Sequence, residues 1–269
     1  MSPPKKLSVV LAVCDEEAML RPCLELLDFA DEIVVVIDTR TTDQSKVIAR
    51  QFTSRVFERP LKSFAEQKNY AISKARGEWT LIVDADERIT PALAKEIKHT
   101  LVNPGDKIGF RIPRINFFFG RPMHHGGWGN DKPIRLIRKI EAVYSGDIHE
   151  VFRTNKAIGE LKKPMWHFSH RSIQSMLVKT VRFGEIQSEE MFKSGHPKVT
   201  SRSLLAVPVK EFYRRFLRQR GYKDGVEGVI ESIYQAFSLC FVCVMLWQKQ
   251  RESPDKAYSK LEAEAEKMK

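Results

Sequence analysis

Three groups of acidic residues near the start of the chain each follow directly on an apolar run. In the tightest group, Asp84-Ala85-Asp86 comes after Leu81-Ile82-Val83. A buried carboxylate is costly unless a cation or a hydrogen-bond donor meets it. Two carboxylates one residue apart can share Mn²⁺ or Mg²⁺, which prefer oxygen ligands and leave room for substrate phosphates. We therefore expect Asp84 and Asp86 to bind a divalent cation that neutralises a diphosphate leaving group. The alternative is a pair of solvated or helix-capping acids.

The other two acidic groups suit the nucleoside part of such a ligand. Asp38 ends an apolar run and is placed to accept hydrogen bonds from a ribose or a base, while Asp43 either joins it or caps the next helix. The third group is Asp15-Glu16-Glu17. One of these acids, for which we choose Glu16, contacts the base edge. The alternative is that all three are N-terminal helix acids, which the helix dipole favours.

The elements that must position these acids alternate between strand and helix. The apolar runs Leu7–Val13, 33–37 and 79–83 are continuous, which is typical of strands buried on both faces of a parallel sheet. Helical segments separate them. Thr90-Pro91 is a good start for a further helix, and Gly77 is placed to end the preceding one. The pattern predicts an α/β fold with a doubly wound, mostly parallel sheet, whose ligands bind at the carboxyl ends of the strands.

The second half of the chain has a different character. Strands are expected at 110–115 and 134–140, with a loop between them that is rich in glycine, histidine and aromatic residues. Within it, residues 123–131 have the features of an acceptor-binding lid. Its glycines allow unusual backbone angles, Trp128 offers a flat face on which a sugar can stack, and His125 lies beside it.

The chain then becomes helical, and two amphipathic segments lie within 204–247. Their apolar faces are flanked by basic residues, so they fit either a core packed on the sheet or the plane of an anionic membrane. The longest apolar run, 233–247, is shorter than the ~20 residues that span a bilayer. The formal charge of +11 suits phosphates and anionic lipids. No RNA- or DNA-binding signature accompanies it, so nucleic acid is not an expected partner.

These patterns divide the chain into an α/β domain, 1–200, and a C-terminal helical extension, 201–269. The domain itself divides into a first half, 1–103, and a second half, 104–200. Cys240 and Cys243 lie in an apolar run without a second cysteine pair, which favours buried small residues over a zinc or redox site. The first residues show no secretory signal pattern, and the expected location is the cytoplasm.

Several motifs occur in an order and spacing that resembles family 2 glycosyltransferases, in particular the subfamily that adds glucose to the inner core of lipopolysaccharide. The motifs are residues 11–17 (LAVCDEE), 38–43 (DTRTTD), 67–69 (QKN), 75–79 (ARGEW), 84–87 (DADE), 148–150 (IHE), 167–170 (HFSH) and 220–225 (RGYKDG). Two departures concern the expected base pocket. The common Pro-Thr is Ala12-Val13 here, and the common Asn is Asp15.

The resemblance implies a GT-A fold, a nucleotide-diphosphate sugar donor that is usually UDP-linked, a divalent metal (Mn²⁺ or Mg²⁺) and inversion at the anomeric carbon. It also implies an acceptor such as a lipopolysaccharide core glycolipid at the inner face of the cytoplasmic membrane. Lys68, in the QKN motif, is a candidate partner of the phosphates. On this resemblance, residues 1–200 are the glycosyltransferase domain, with a nucleotide-sugar-binding half, 1–103, and an acceptor half, 104–200, and the extension 201–269 is a candidate membrane-associating segment.

Inverting transfer needs a base that takes the proton of the acceptor hydroxyl, and a carboxylate fits this role. The candidates are Glu150 first and Asp147 second, with Asp131 behind them. For Glu150 the alternative role is a salt bridge to an arginine. His149 is a candidate acceptor contact and His167 a further metal ligand, although a single histidine is often only a structural hydrogen-bonder.

Three other functions compete with this interpretation. Transfer to polyprenyl phosphate or to a protein would use the same donor residues. Nucleotidyl transfer would need a glycine-rich loop with a basic residue after the first strand, and the sequence has none there. A non-catalytic nucleotide-binding module would tolerate the loss of Asp84 and Asp86.

Overall fold

The computed structural model describes residues 6–61, 63–141, 144–145, 151–152, 154–251 and 254–267. The strands are β1 (Leu7–Val13), β2 (Glu32–Asp38), β3 (Val56–Arg59), β4 (Trp79–Ile82), β5 (Glu87–Arg88), β6 (Gly109–Arg111), β7 (Arg114–Phe118), β8 (Arg121–Met123), β9 (Ile134–Arg138), β10 (Tyr144–Ser145), β11 (Val151–Phe152), β12 (Ile158–Glu160) and β13 (Met165–His170). The helices are α1 (Glu17–Leu24), α2 (Ser45–Phe52), α3 (Phe64–Lys74), α4 (Pro91–Val102), α5 (Ile173–Lys193), α6 (Ser201–Tyr213), α7 (Gly225–Lys249) and α8 (Pro254–Lys267).

Seven strands form the main sheet, in the order β12-β6-β9-β4-β1-β2-β3. Strand β1 pairs in parallel with β2 and β4, β2 in parallel with β3, and β6 in parallel with β12. Among the strands that the structure describes in this sheet, β9 alone runs against its neighbours, β4 and β6. The prediction of an α/β fold with a mostly parallel sheet is confirmed. A smaller sheet has the order β5-β13-β7-β8, and β10 pairs with β11.

The main sheet is covered on both faces, as its continuous apolar strands require. Along β1, Leu7, Val9 and Leu11 pack in one apolar cluster and Val10 packs in the other. Buried residues of α1, α2 and α4 join the first cluster, and those of α3 join the second. Because successive side chains of a strand point to opposite faces, a strand between two helix layers must be apolar at nearly every position.

Two local predictions met different outcomes. Thr90 caps α4, its Oγ1 accepting a hydrogen bond from the N–H of Leu93 at 3.2 Å, as the sequence indicated. The prediction that Gly77 ends α3 in a C-cap position was wrong, since that helix ends at Lys74 with Ala75 in an extended conformation. Gly77 instead lies against β1, where a Cβ atom would stand 2.7 Å from the backbone nitrogen of Ser8.

The chain forms two compact units. The first comprises Met1–His124 and Trp128–Ser169, and the second comprises His125–Gly127 and His170–Lys269. The first unit contains the main sheet and α1 to α4, and the second contains α5 to α8. The functional division predicted at residue 200 stays a prediction.

In the second unit α7 packs against α5 through a few buried polar groups. The hydroxyl of Tyr234 donates to the carbonyl oxygen of Met176 at 2.8 Å and lies 2.5 Å from Thr180 Oγ1. At the start of the unit, His170 Nδ1 lies 3.2 Å from Glu231 Oε2. Helix α6 differs, because none of its thirteen residues is buried.

The helical segment Gly221–Lys249 is 29 residues long and has a mean hydropathy of 1.9 over its most apolar window. It is thus longer than the apolar run 233–247 alone indicated. By length and composition it could cross a membrane, a property that core helices of soluble proteins share. Free cysteines Cys240 and Cys243 lie on this helix, and Cys243 is buried.

Candidate functional site

The DADE motif forms a tight turn between β4 and β5, at the carboxyl end of the parallel strands. The N–H of Asp84 donates to Glu87 Oε2 at 3.0 Å, and the N–H of Glu87 donates back to the carbonyl oxygen of Asp84 at 2.9 Å. This reciprocal pair fixes the direction in which each carboxylate leaves the backbone. The turn lies where the sequence predicted a ligand site.

Two basic side chains from different elements meet the carboxylate of Asp84. Arg135 Nη2, from β9, lies 2.5 Å from Asp84 Oδ2, and Lys68 Nζ, from α3, lies 3.3 Å from Oδ1. Burial by itself would raise the pKa of Asp84, but the charges of Arg135 and Lys68 outweigh it and hold this pKa well below its usual range. Asp84 is therefore a carboxylate held between two protein cations, and its predicted binding of metal and nucleotide stays a prediction.

Glu87 is the most enclosed charge of the site, with its side chain fully buried. Its Oε1 accepts hydrogen bonds from Arg135 Nη2 at 2.6 Å and from Arg114 Nη1 at 3.0 Å. We did not predict a role for any of these three residues. A signal was present, because Arg114 and Arg135 are charges inside strand-like segments, and such charges need a buried partner.

Asp86 faces His167, whose Nε2 lies 3.5 Å from Asp86 Oδ2. The pairing of β13 with β5 sets this approach, because it places His167 opposite Glu87. The N–H of Phe168 also donates to the carbonyl oxygen of Asp86 at 2.9 Å. Two residues separated by 81 positions in the chain, and predicted as metal ligands, are thus brought together.

The Asp86–His167 pair fits a divalent cation. A carboxylate oxygen and an imidazole nitrogen are a donor set that Mn²⁺ accepts, and the other ring nitrogen, Nδ1, is 2.6 Å from Asn116 Oδ1. Metal-binding histidines usually have such a second hydrogen bond. Among the described residues no group of three or more His, Cys, Asp or Glu side chains could hold a metal. Two protein ligands would leave the remaining positions to phosphate oxygens and water, as is usual for Mg²⁺.

The loops after β1 and β2 are tied to each other by their acidic side chains. Asp15 Oδ1 accepts from the N–H of Thr42 at 2.8 Å, and Asp43 Oδ2 accepts from the N–H of Glu17 at 2.8 Å. The N–H of Glu16 donates to Ser45 Oγ at 2.9 Å. The side chains of Asp15 and Asp43 thus hold the two loops together. The predicted nucleotide contacts of Glu16 and Asp43 stay predictions.

Asp38 is buried at the end of β2, and Arg40 folds back onto it, with Nη2 at 2.6 Å from Oδ2. Burial would raise the pKa of Asp38, but hydrogen bonds from the side chain and backbone of Arg40 lower it below its usual range. The pKa of Asp43 is lowered in the same way, because hydrogen bonds from Ser45 outweigh the effect of burial. Both residues therefore accept hydrogen bonds as carboxylates.

The predicted acceptor residues fall in different parts of the structure. Trp128 belongs to the first unit, where its half-buried ring meets the buried ring of Phe118 edge-on, with centroids 5.0 Å apart. His125 belongs to the second unit. Asp147, His149 and Glu150 lie outside the described residues.

His125 has a partner that the sequence did not reveal. Asp224 Oδ1 lies 2.7 Å from His125 Nδ1, and its Oδ2 accepts from the backbone N–H of His125 at 2.7 Å. Arg215 Nη1 also donates to the carbonyl oxygen of Gly126 at 2.9 Å. The histidine ring is thus held at one nitrogen while about a third of its side chain stays exposed. The sequence signal for this pairing is Asp224, an acid in the RGYKDG motif.

A family model described as "Glycosyl transferase family 2" matches residues 8–206. The chain is 25% identical to the lipopolysaccharide core biosynthesis glycosyltransferase LpsC of Rhizobium meliloti (strain 1021), over 96% of this chain and all of that protein. It is also 25% identical to an uncharacterized glycosyltransferase of Rickettsia typhi, over 87% of this chain and 84% of the relative.

Similar solved structures include S. aureus TarS 1-349 in complex with UDP-GlcNAc, with a TM-score of 0.48 and 16% identity over 90% of each chain. Another is glucosyl-3-phosphoglycerate synthase from Mycobacterium tuberculosis in complex with Mg²⁺ and UDP. Its TM-score is 0.35 and its identity 19%, over 42% of this chain. The match spans 44% of that structure's chain, less than half of its length.

Proposed function

Because this chain belongs to glycosyl transferase family 2 and is a glycosyltransferase, we propose that it moves a hexose from a UDP-linked donor to a lipopolysaccharide core glycolipid, with inversion. The observation that carries the donor side is the Asp86–His167 pair beside Asp84, at the carboxyl edge of the parallel strands. Doubly wound sheets bind their ligands at this edge. The LpsC relative, which is matched over its full length, supports the acceptor class.

The residues of the turn divide the work on the donor diphosphate. Asp86 and His167 would hold Mn²⁺ or Mg²⁺, which when bound supplies positive charge to the leaving diphosphate. Lys68 and Arg135 keep Asp84 ionised. We keep Lys68 as the cation that would meet a phosphate oxygen. Asp38, buried at the end of β2 and ionised, would accept hydrogen bonds from the ribose.

Residues in the second half of the chain would bind the acceptor and take its proton. We propose Trp128 as the stacking surface for a sugar ring, with His149 as a further contact. The acceptor contact of His125, which belongs to the other unit, stays a prediction. We keep Glu150 as the base that takes the acceptor proton, with Asp147 as the second candidate, because a carboxylate suits this step. Asp131 is less suited, because Arg114 Nε and Asn116 Nδ2 both donate to its Oδ2, at 2.7 and 3.0 Å.

We also propose that the enzyme works in the cytoplasm at the inner face of the membrane. The exposed apolar stripe Leu205, Val209, Tyr213 and Leu217 follows helical spacing along α6 and the turn after it. Exposed basic residues follow in the same segment, namely Arg218, Arg220 and Lys223. An apolar stripe next to basic residues suits anionic lipid, and a lipid-linked acceptor would be presented there.

The donor site is tested by measuring UDP release from a panel of UDP-sugars with Mn²⁺ or Mg²⁺. We expect slow hydrolysis of one UDP-hexose, abolished by EDTA and reduced about 100-fold or more in Asp86→Ala, because the cation that neutralises the leaving diphosphate would be lost. The exposed Asp106→Ala is the matched control and should behave as the native protein does. If no UDP-sugar is turned over and calorimetry shows no metal-dependent UDP binding, the proposed donor is wrong.

A further inference from the structure

We infer that Asn116 is a positioning residue that fixes the tautomer of His167, so that Nε2 is left as an electron-pair donor facing Asp86. The inference rests on the proposed function only for its consequence, the binding of a cation by Asp86 and His167. The tautomer itself follows from the hydrogen bonds of one buried amide.

The orientation of the Asn116 side chain is set from its nitrogen end. Asn116 is fully buried on β7, and its Nδ2 lies 3.0 Å from Asp131 Oδ2 and 3.5 Å from the carbonyl oxygen of Trp128. A carboxylate and a carbonyl only accept hydrogen bonds, so the amide nitrogen must face them. The amide oxygen must therefore be the atom that faces His167.

A second donor on the same carboxylate oxygen supports this orientation of the amide. Arg114 donates from Nε to Asp131 Oδ2 at 2.7 Å, while its Nη1 reaches Glu87 Oε1 at 3.0 Å. A flipped amide would set Asn116 Oδ1 against Asp131 Oδ2 and the carbonyl oxygen of Trp128, and would lose both hydrogen bonds. The Arg114 guanidinium thus joins Asp131, which orients Asn116, to Glu87 of the acidic turn.

The proton on His167 then has a single position in the neutral ring. Its Nδ1 lies 2.6 Å from Asn116 Oδ1, and because an amide oxygen only accepts, Nδ1 must carry the hydrogen. The lone pair is left on Nε2, which faces Asp86 Oδ2 at 3.5 Å. Two electron-pair donors facing each other at this distance suit a shared cation, whereas an Nε2–H tautomer would donate to Asp86 and block it.

The tautomer is tested by ¹⁵N NMR of the metal-free protein with labelled histidine, at a pH where the ring is neutral. The His167 signals are assigned with His167→Gln. We expect the native ring to carry its proton on Nδ1, and Asn116→Leu, which offers no acceptor, to shift it to Nε2. The exposed Asn103→Leu is the matched control and should leave the spectrum unchanged. A native ring protonated at Nε2 would overturn the inference, as would an unchanged tautomer in folded Asn116→Leu.

The double variant Asn116→Asp/Asp131→Asn distinguishes loss of the acceptor that faces His167 from a general disturbance of the fold. It exchanges the two side chains, so that a carboxylate at 116 accepts from Nδ1. Because Arg114 Nε and Asn116 Nδ2 share Asp131 Oδ2 in the native protein, the new amide at 131 must turn so that its oxygen accepts from Arg114 and its nitrogen donates to the carboxylate at 116. The Nδ1–H tautomer should then return. Calorimetric Mn²⁺ affinity in the presence of UDP should fall about 10- to 100-fold in Asn116→Leu and recover in the double variant. Loss without recovery would contradict a positioning role. Failure of the native protein to bind Mn²⁺ and UDP would count against the proposed function, while the NMR result still decides the inference.

Discussion

At the residue scale, the acids of the site differ in what meets them. Glu87 and Asp84 accept from protein cations, Asp38 is enclosed by Arg40, and Asp86 faces an imidazole nitrogen. A carboxylate already paired with arginine contributes charge and rigidity, whereas one that faces another ligand atom suits an added cation. The two aspartates of one DADE turn thus meet different partners, Asp84 two protein cations and Asp86 an imidazole nitrogen.

The lowered pKa of Asp84 makes a prediction about stability in acid. Because the pKa of the folded state lies below that of the unfolded chain, ~3.9, the contribution of Asp84 to stability is fully present above that value. It is lost as the pH falls toward the folded-state pKa. Asp84→Asn should therefore lower the free energy of unfolding at pH 7 and reduce its decline between about pH 5 and 3. Urea titrations across this range measure both.

The exposed Asp28→Asn is the control for that experiment, because Asp28 lies on the surface of the first unit. It should leave both the free energy of unfolding and its dependence on pH close to the native values. If the free energy of unfolding of Asp84→Asn declines in acid as steeply as that of the native protein, the ion pairs of Asp84 with Arg135 and Lys68 do not stabilise the folded state.

At the element scale, short antiparallel strands build the site on a parallel framework. Strand β9 runs against β4 and carries Arg135 to the turn, and the two-residue strand β5 pairs with β13 to bring His167 beside Asp86. The parallel strands supply only the edge. Register therefore matters more than strand length, because a slip of one residue would turn His167 to the other face of its sheet.

The close approach of Gly77 to β1 makes a prediction at this scale. A Cβ at Gly77 would stand 2.7 Å from the Ser8 nitrogen and 2.8 Å from Ser8 Oγ, and its N–H donates to that hydroxyl at 2.9 Å. Gly77→Ala must therefore push the chain away from the start of β1. We expect it to lower the free energy of unfolding by about 1–3 kcal/mol in urea titrations.

The nearby Ser73→Ala, on the exposed face of α3, serves as the control and should change the free energy of unfolding by less than about 0.5 kcal/mol. A Gly77→Ala protein as stable as Ser73→Ala would mean that the backbone there can move without cost, and that glycine is not required at this position.

At the scale of the whole molecule, the charge of +11 and the exposed apolar stripe point to one kind of surface. Near the acidic turn, Arg114, Arg135 and Lys68 form ion pairs with carboxylates of the protein itself. The exposed basic residues at 218, 220 and 223 are different, because they adjoin exposed apolar side chains. Such a mixture is typical of a segment that lies at an anionic bilayer.

Binding to lipid vesicles is the prediction for this scale. The protein should sediment with vesicles that contain anionic phosphatidylglycerol, and much less with phosphatidylcholine alone. Replacing Arg218, Arg220 and Lys223 by Gln should lower the partition coefficient about 100-fold, because each basic residue near such a surface is worth about 1 kcal/mol.

The control variant replaces three exposed lysines of the first unit, Lys95, Lys98 and Lys162, and changes the net charge equally. Its partition coefficient should fall far less. Equal losses in the two variants would show that total charge, and not this segment, governs binding, and no binding to either vesicle would contradict the proposed membrane surface.

The sequence by itself determined the framework and the edge of the sheet that carries the acidic turn. Continuous apolar runs can be buried only between two layers, so the mostly parallel sheet and the position of the acidic turn followed from local patterns. The family followed from motif order, which the match over residues 8–206 confirms. The start of α4 was also local, because Thr90 caps a helix through its own next residues.

Only the tertiary structure decided which side chains meet. The partners of Glu87, the approach of His167 to Asp86 and the support from Asn116 join residues that are 27 to 81 positions apart. These contacts depend on the antiparallel pairing of β9 with β4 and of β13 with β5. Strands of two to six residues carry too little periodicity to fix their own register. Gly77 is a second example. The sequence alone does not distinguish a glycine that ends a helix from one that packs closely against a neighbouring strand, and here the position of β1 decides.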